Sequence, residues 1–252
     1  MSHPVYSRQF HLTRDHDTHY AATQIIAILL KCIPPVRSAI DIGCGVGTWC
    51  KVLQDNGVLE VKGVDGPWVG PDLLVIPRES FESFDLLSPY LSSRKYDLLS
   101  CLEVAEHLPP DKALPFVESL TRVSDFILFS AAVPFQGGQG HQNEQWQSYW
   151  GELFGRLDYS PVDVIRPSIW NDMKINFWYR QNVILFVRND RLGELVIPAV
   201  APTLSLVHPE LFLSKCGNTK PSPPFRNLNP LHLVIRYLSR IWRSAKRRLL
   251  DL

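Results

Sequence analysis

The sequence lacks any uninterrupted apolar stretch near the roughly 18 residues that a membrane-spanning helix needs. The first ten residues, MSHPVYSRQF, also lack the apolar core of a secretory signal. Neither charge dominates, because 26 basic and 25 acidic residues leave a formal net charge of +1. This balance provides no general attraction for nucleic acid. We therefore expect a cytoplasmic protein without a nucleic-acid partner.

Cysteine is scarce and scattered, with five residues and no C-x-x-C pair. Neither a disulfide framework nor a cysteine-based zinc site fits that pattern. Histidines gather near the N-terminus at His3, His11 and His16, but no two of them are spaced as helical i, i+4 partners. We therefore predict no metal site, and residues 1–17 are interpreted as an N-terminal arm that either covers a ligand or packs loosely.

The most informative stretch is residues 38–48, which read SAIDIGCGVGT. A short apolar run containing Asp41 breaks into Gly43, Gly45 and Gly47, and the next residues open a helix. This pattern of strand, glycine turn and helix start is typical of the first unit of a nucleotide-binding α/β domain. Glycines in such a turn let a ligand lie against bare backbone, close to the unpaired N–H groups of the helix start.

This stretch matches neither of two common nucleotide-binding motifs. The dinucleotide fingerprint G-x-G-x-x-G/A would place Thr48 where a small residue is needed, and no P-loop run exists in the chain. An acid at the strand end suits a cationic sulfonium better than a pyrophosphate. A nicotinamide-dependent oxidoreductase stays open as an alternative that NAD binding would decide, and so does a glycine turn without a ligand.

The run D-x-G-x-G-x-G that starts at Asp41 resembles the first motif of class I S-adenosylmethionine-dependent methyltransferases. The resemblance extends over residues 18–188. It implies an α/β fold with a Rossmann-like, doubly wound, seven-stranded sheet of order 3-2-1-4-5-7-6, in which strand 7 is antiparallel and helices cover both faces. It also implies S-adenosyl-L-methionine as the cofactor.

Hydrophobic periodicity and turn residues divide the chain into elements and domains. We predict a helix over 18–31 capped by Asp17 or Thr18, followed by a strand over 39–42 and a helix over 48–56. Further strands are predicted over 59–64, 73–76 (or a lead-in to a strand), 96–102, 126–132, 157–165 and 179–187, with a helix over 109–122. The predicted domains are the arm 1–17, a methyltransferase domain 18–191, a proline-rich linker 192–230 and a basic amphipathic helix 231–252.

Asp65 follows the second predicted strand and heads an Asp-Gly pair. A carboxylate at this place accepts hydrogen bonds from both hydroxyls of a ribose, although an acidic turn residue explains the pair as well. In the resembling family an acid near Asp85 binds the adenine amino group, with a backbone N–H nearby. The predicted cofactor-binding residues are Asp41, Gly43, Cys44, Gly45, Gly47, Asp65, Gly66, Asp85, Leu86, Leu102 and Glu103.

The fourth predicted strand ends in Glu103-Val-Ala-Glu106-His107, which resembles the strand exit that faces the sulfonium and substrate in the family. Ligands of open α/β sheets bind beyond the carboxyl ends of the strands, so the location suits a catalytic group. A histidine can accept a proton near neutral pH, which makes His107 a candidate general base. Alternatively, His107 holds the loop through a hydrogen bond to backbone.

Residues 135–150, FQGGQGHQNEQWQSYW, join a glycine-rich loop to polar and aromatic side chains. Flat aromatic rings and planar amides suit a sugar, which has apolar faces and a rim of hydroxyls. The stretch resembles one in bacterial methyltransferases associated with surface-glycan and sugar modification. We predict catalytic roles for His107, His141 and Glu144, with Glu144 as a helper, and substrate-binding roles for Asn143, Trp146 and Tyr149. The alternative is an aromatic helix packed on the sheet, which we expect of Trp150 and Phe154.

The C-terminal region differs from the preceding domain in composition, first in its proline content and then in its basic residues. Seven of the twenty prolines fall within 198–230, which favours an extended linker, although residues 204–213 are candidates to dock on the domain. Residues 231–252 then place apolar and basic side chains on opposite faces of a predicted helix. Such a helix either lies in a membrane interface with anionic lipid or packs on protein with its basic side in water.

Together these patterns predict an enzyme that moves a methyl group from S-adenosylmethionine to a hydroxyl of a sugar, glycan or glycolipid-type small molecule by in-line displacement. Two alternatives stay open: a methyltransferase acting on a non-sugar metabolite, and a non-catalytic module of the same fold that binds membrane or a partner. We expect it in the cytoplasm, at the inner face of the membrane if the C-terminal helix contacts lipid.

Overall fold

The computed structural model describes residues 8–196 and 203–216, with side chains from residue 18 onward. Helix α1 (Arg8–Leu29) begins before Thr18, so the predicted cap at Asp17 or Thr18 is wrong and the helix crosses the predicted end of the arm. The segment 8–17 contains neither glycine nor proline, and nothing in it stops a helix.

A seven-stranded sheet forms the centre of the described domain. Its order is β3-β2-β1-β4-β5-β7-β6, and this confirms the predicted topology. Strand β7 runs antiparallel to both β5 and β6, whereas the other neighbouring strands are parallel. The strands are β1 (Ser38–Ile42), β2 (Glu60–Asp65), β3 (Phe81–Ser83), β4 (Leu98–Leu102), β5 (Phe126–Ser130), β6 (Tyr159–Val162) and β7 (Ile184–Arg188).

Helices cover both faces of this sheet, so β4 and β5 are buried along their whole length. Alternate strand residues enter two different cores: Leu98 packs in one cluster with α1 and α2, and its neighbour Leu99 packs in the other with α3 and α4. The remaining helices are α2 (Thr48–Asp55), α3 (Ala113–Val123), α4 (Gln147–Gly155), α5 (Arg166–Ile169), α6 (Phe177–Asn182) and α7 (Pro209–Lys215).

The third strand is not where the apolar run predicted it. Residues 73–76 form no strand, and β3 lies later in the chain at Phe81–Ser83. The run covers the glycine loop instead: Val75 donates its N–H to the Val46 carbonyl at 2.9 Å, and Ile76 is buried beside Gly47. The run therefore contacts the glycine loop through the Val75 backbone and the Ile76 side chain, and it does not pair with β2.

The seventh strand is shorter than predicted, because residues 179–182 belong to α6 and β7 begins at Ile184. Three of those residues are polar and buried, namely Arg180, Gln181 and Asn182. Their side chains bind interior polar partners, and this directs the backbone into a helical turn before the strand starts. Such interior partners leave no periodic signal in the sequence.

Part of the predicted linker packs on the domain. The Thr203 carbonyl accepts from Arg166 Nη2 at 2.9 Å, and the His208 N–H donates to Gln181 Oε1 at 2.7 Å. The candidate docking of 204–213 is thereby confirmed at His208, and Thr203 extends the contact by one residue. The predicted basic helix 231–252 lies outside the described residues. Among the helices that the structure describes, none is both long and apolar enough to cross a membrane.

Candidate functional site

A cavity of about 590 Å³ opens at the carboxyl ends of β1, β2 and β4. Its size falls within the roughly 300–1,000 Å³ typical of small-molecule sites. Most of the predicted cofactor-binding residues meet here although they come from four separate segments. The predicted residues on its wall are Gly43, Cys44, Gly45, Asp65, Asp85, Leu86, Leu102, Glu103 and His107.

The glycine loop forms one wall of this cavity, between the end of β1 and the start of α2. Gly43 and Gly45 both have positive φ, at 82° and 56°, a conformation that side chains rarely adopt. A Cβ on Gly43 would lie 2.2 Å from Val104 Cγ2, whereas a Cβ on Gly45 would meet only open space. Gly45 therefore exposes bare backbone to the cavity. Gly47 lies at the start of α2, against Ile76.

Asp65 closes the wall at the end of β2. Its Oδ2 accepts the Gly45 N–H at 2.7 Å, and its Oδ1 accepts the Gly66 N–H at 2.6 Å. These two bonds fix the carboxylate against the glycine loop while it lines the cavity. A carboxylate has about four acceptor positions, so this group is of a type that can also accept hydrogen bonds from ligand hydroxyls. Gly66 itself lies under the indole of Trp68.

Asp41 lies beneath the loop and is 2% exposed, outside the set of residues that line the cavity. It faces Ser100 across the pair β1 and β4, and Ser100 Oγ donates to Asp41 Oδ1 at 2.6 Å. Burial raises the pKa of Asp41 to about 7, and repulsion from Asp65 adds to this. The structure thus places Asp41 in the interior between β1 and β4, away from the direct contact with ligand that the sequence suggested.

Glu103 follows β4 with a φ of 57°, which is uncommon for a residue other than glycine. Glu103 lines the cavity, and its carboxylate accepts hydrogen bonds from Gln136 Nε2 at 2.9 Å and Asn182 Nδ2 at 3.2 Å. The acid is therefore held in a fixed position by amides from two other segments. Sequence reasoning missed these amides, because their spacing along the chain gives no signal.

His107 lines the cavity just beyond Glu103, and His141 packs behind it. The two imidazole rings meet edge to face with centroids 4.8 Å apart. Backbone bonds hold their segments together: the N–H groups of Gln142 and Asn143 donate to the Glu106 carbonyl at 2.8 and 3.0 Å. The two stretches singled out from sequence, the β4 exit and the loop after β5, therefore meet in one cluster.

Glu144 orients His141. Its Oε1 lies 2.9 Å from His141 Nδ1, and its two oxygens also accept the N–H groups of Gly137 and Phe135 at 2.7 and 2.8 Å. Because this carboxylate is an acceptor for two backbone groups, we assign the Nδ1 proton to His141. The Nε2 atom then carries a lone pair on the side towards Glu106, whose Oε1 is 4.0 Å away.

The predicted substrate-binding residues do not line the cavity. Asn143 is 2% exposed, and its Oδ1 accepts from Gln145 Nε2 at 2.9 Å. Tyr149 packs edge to face on Trp150 at 5.1 Å, and Trp146 is 41% exposed at the start of α4. The aromatic spacing therefore reflects packing for Tyr149 and Trp150, as expected for Trp150.

Sequence reasoning assigned no ligand-binding role to the wall residues Trp49 and Thr18. Trp49, in the first turn of α2, contacts Tyr179 edge to face at 5.5 Å, and both line the cavity. Thr18 in α1 and Gln142 after β5 complete the wall near them. Trp49 was detectable in principle, since it directly follows the glycine loop. The others come from distant segments, and only the folded chain brings them together.

Comparisons with known proteins agree with this geometry. A family described as "Methyltransferase domain" matches residues 14–151. No curated protein sequence matches the chain. An O-methyltransferase family protein from Burkholderia thailandensis shares the fold at 11% identity and a TM-score of 0.51, over 72% of this chain and 58% of that one. A magnesium protoporphyrin IX methyltransferase from Synechocystis PCC 6803, solved with SAM, is 19% identical over 75% and 86% of the two chains, with a TM-score of 0.49.

Proposed function

Since the chain belongs to the methyltransferase domain family and uses S-adenosylmethionine as its cofactor, we propose that it methylates a hydroxyl of a sugar, glycan or glycolipid-type small molecule. The observation that carries the proposal is the imidazole of His107, which lies on the wall of the same cavity as Gly45 and Asp65. A proton acceptor thereby shares a cavity with the cofactor-binding loop.

The residues at the β1 and β2 ends fit this cofactor. The missing Cβ of Gly45 leaves open space where the backbone meets the cavity, and Asp65 presents a carboxylate to it. In our proposal Asp65 accepts hydrogen bonds from the ribose hydroxyls, and Asp85 with Leu86 takes the adenine side. In the same proposal Glu103 supplies negative charge near the cationic sulfonium of the cofactor. When bound, the cofactor supplies a methyl group on a sulfonium that is already a good leaving group.

The protein's part in the reaction is mainly alignment, which is worth at best about 7–11 kcal/mol. A hydroxyl acceptor must also lose its proton. His107 takes that proton as the acceptor oxygen bonds to the methyl carbon and the carbon–sulfur bond breaks. His141 is the second candidate base, and Glu144 holds its ring in place. The products are a methyl ether, a neutral thioether and a protonated imidazole.

The acceptor class is supported by polar groups on the cavity wall. His107 and Gln142 both line it, and these imidazole and amide groups suit a ligand rich in hydroxyls. The likeness of residues 135–150 to the sugar-modifying methyltransferases points the same way. The aromatic residues Trp146 and Tyr149 add no support, because they lie off the cavity wall.

The test is methyl transfer from isotopically labelled S-adenosylmethionine onto the organism's glycans, lipids and small metabolites. The proposal expects label on a sugar hydroxyl, and no transfer by a Gly45→Trp variant whose indole fills the cavity. Label that appears only on a non-sugar metabolite would overturn the acceptor class. Cofactor binding without any transfer would favour the non-catalytic module.

We further propose that the enzyme works in the cytoplasm at the inner face of the membrane, with the basic segment 231–252 on anionic lipid. Liposome flotation of the full chain tests this. We expect flotation with anionic vesicles and its loss when residues 229–252 are deleted. Flotation that is indifferent to lipid charge or to the deletion would contradict the proposal.

A further inference from the structure

We propose that Glu106, His107 and His141 bind one divalent first-row transition-metal ion beside the part of the cavity wall that His107 forms. One ligand atom from each of the three lies within 4.8 Å of the other two. Nothing in the sequence predicts this site, because the residues come from two segments more than thirty positions apart. The proposal is independent of which acceptor the enzyme methylates.

The spacing of the donor atoms suits a metal ion between them. His141 Nε2 and Glu106 Oε1 are 4.0 Å apart, which is too long for a hydrogen bond. Two donors on one tetrahedral ion with bonds of about 2.0–2.2 Å are roughly 3.3–3.6 Å apart. Side-chain rotations of about half an ångström bring the His141 and Glu106 atoms to that separation. The third ligand atom lies within 4.8 Å of the other two, and it moves inward by up to about 1.5 Å to reach the same separation.

The chemistry of His141 matches that of a metal ligand. Its Nδ1 lies 2.9 Å from Glu144 Oε1, so the proton is on that side and Nε2 presents its lone pair to the cluster. Ligating histidines almost always donate their second ring N–H to a carboxylate or carbonyl, which fixes the tautomer and raises basicity. Glu144 is in turn held by two backbone N–H groups. The orientation of the His141 ring is therefore fixed by groups that are not themselves ligands.

Hydrogen bonds hold the two ligand-bearing segments together without a metal ion. The Glu106 carbonyl accepts from the Gln142 and Asn143 N–H groups, and Gln142 Nε2 donates to the His107 carbonyl at 2.9 Å. The two ligand-bearing segments are thus joined by three hydrogen bonds. Glu106 is 0% exposed, and a buried carboxylate beside two imidazoles offers negative charge to a cation in a place shielded from water.

Two imidazoles and one carboxylate favour zinc, iron, cobalt or nickel over magnesium and calcium, which prefer oxygen ligands. Because His107 lines the cavity, an ion that it holds would be accessible from the space where an acceptor lies. A hydroxyl bound to the ion would have its pKa lowered. In the metal-loaded enzyme the hydroxyl proton would pass to water and both imidazoles would act as ligands, whereas His107 takes that proton when no ion is bound.

The experiment is a titration of the metal-free full chain with Co²⁺, followed by visible absorption and by calorimetry. We expect one equivalent to bind with the absorption bands of a nitrogen- and oxygen-ligated ion, and Zn²⁺ to displace it. His107→Ala and His141→Ala should each weaken binding at least tenfold. His19→Ala removes an exposed histidine outside the cluster and should change nothing.

S-adenosylmethionine binding by each variant, measured separately, shows that the domain is folded. The proposal is overturned if the wild type binds no Co²⁺, or if both cluster variants bind it as the wild type does. Neither readout involves methyl transfer. A failed search for a sugar acceptor therefore leaves the metal result intact, and the absence of a metal leaves the proposed methylation intact.

Discussion

The backbone N–H of Gly45 donates to Asp65 Oδ2 at 2.7 Å, joining the loop after β1 to the end of β2. The two residues were selected from the sequence for separate reasons, one for its bare backbone and the other for its carboxylate. Their contact shows that one structural unit presents both groups to the cavity. The cofactor site therefore depends on the pair, and changes at either residue have defined consequences.

Gly45→Ala should weaken S-adenosylmethionine binding, because the added methyl group occupies space that the ligand needs. This loss is separate from the backbone strain that the substitution also causes. The added Cβ has open space around it but enters the cavity wall. Gly57→Ala is the matched control, since Gly57 also has positive φ (87°) and open space but ends α2 away from the cavity. Both variants should lose about 1–2 kcal/mol of stability from the left-handed backbone, measured by denaturant unfolding. Only Gly45→Ala should lose cofactor affinity in calorimetry, and equal affinities for the two would contradict this.

His141→Ala and Glu144→Gln should slow methyl transfer while leaving cofactor affinity unchanged. A positioned base typically contributes about 10²–10⁴-fold, so we expect a loss in that range for His141→Ala. Glu144→Gln should cost less, because it changes the orientation of the ring and leaves the imidazole present. Rates across a pH series, beside cofactor titrations, provide the measurement. Full turnover by His141→Ala at every pH would remove this residue from the mechanism.

Gly138→Ala should disturb the histidine cluster without touching the cofactor loop. A Cβ on Gly138 would lie 2.2 Å from His141 Nε2, so the imidazole must move. Gly193→Ala is the control, because its Cβ would meet no atom within 4 Å. We expect transfer to fall at least tenfold for Gly138→Ala and to stay unchanged for Gly193→Ala. Wild-type rates in both would show that the position of this ring is unimportant.

Asp41 should make the protein less stable as pH rises. Its pKa is raised from 3.8 to about 7 in the folded chain, so the folded state holds the proton more tightly than the unfolded state does. The contribution of Asp41 to the free energy of unfolding is therefore greatest below pH 4 and falls until about pH 7. The total change is on the order of 4 kcal/mol.

Asp41→Asn removes the titrating group and should flatten this part of the pH profile. Denaturant unfolding of both proteins between pH 4 and pH 8 is the measurement. Asp111→Asn, at an exposed position, should keep the wild-type profile. An Asp41→Asn profile parallel to that of the wild type would show that Asp41 is not the source.

The position of the cofactor loop was predictable because it depends on local signals, and the sheet order followed from the family resemblance that this loop carries. Alternating glycines after a buried strand and an acid at the next strand end are both contiguous in sequence. The errors have another origin. Residues 73–76 pack on the glycine loop and not on β2, and Asn182 turns inward to bind Glu103. In both places a tertiary contact, invisible in the local pattern, decided the backbone.

The histidine cluster was predictable only in part. His107 and His141 were each selected from their own segments, yet no spacing rule brings their rings to 4.8 Å. The aromatic residues after His141 show why a sugar platform is hard to recognise, because helical spacing looks the same for packing and for binding. Trp150 is in the core as expected, whereas Trp146 is exposed and does not line the cavity, so its role in substrate binding stays a prediction.

The most direct test of the central claim is calorimetric titration of S-adenosylmethionine into the wild type and an Asp65→Ala variant. Hydrogen bonds to a charged group are worth about 1.5–3 kcal/mol, so the variant should bind roughly 10–150-fold more weakly. An Asp111→Ala control should bind like the wild type. One-site binding by the wild type with this loss in Asp65→Ala is the predicted result. No binding by the wild type, or equal affinity in Asp65→Ala, would contradict the account.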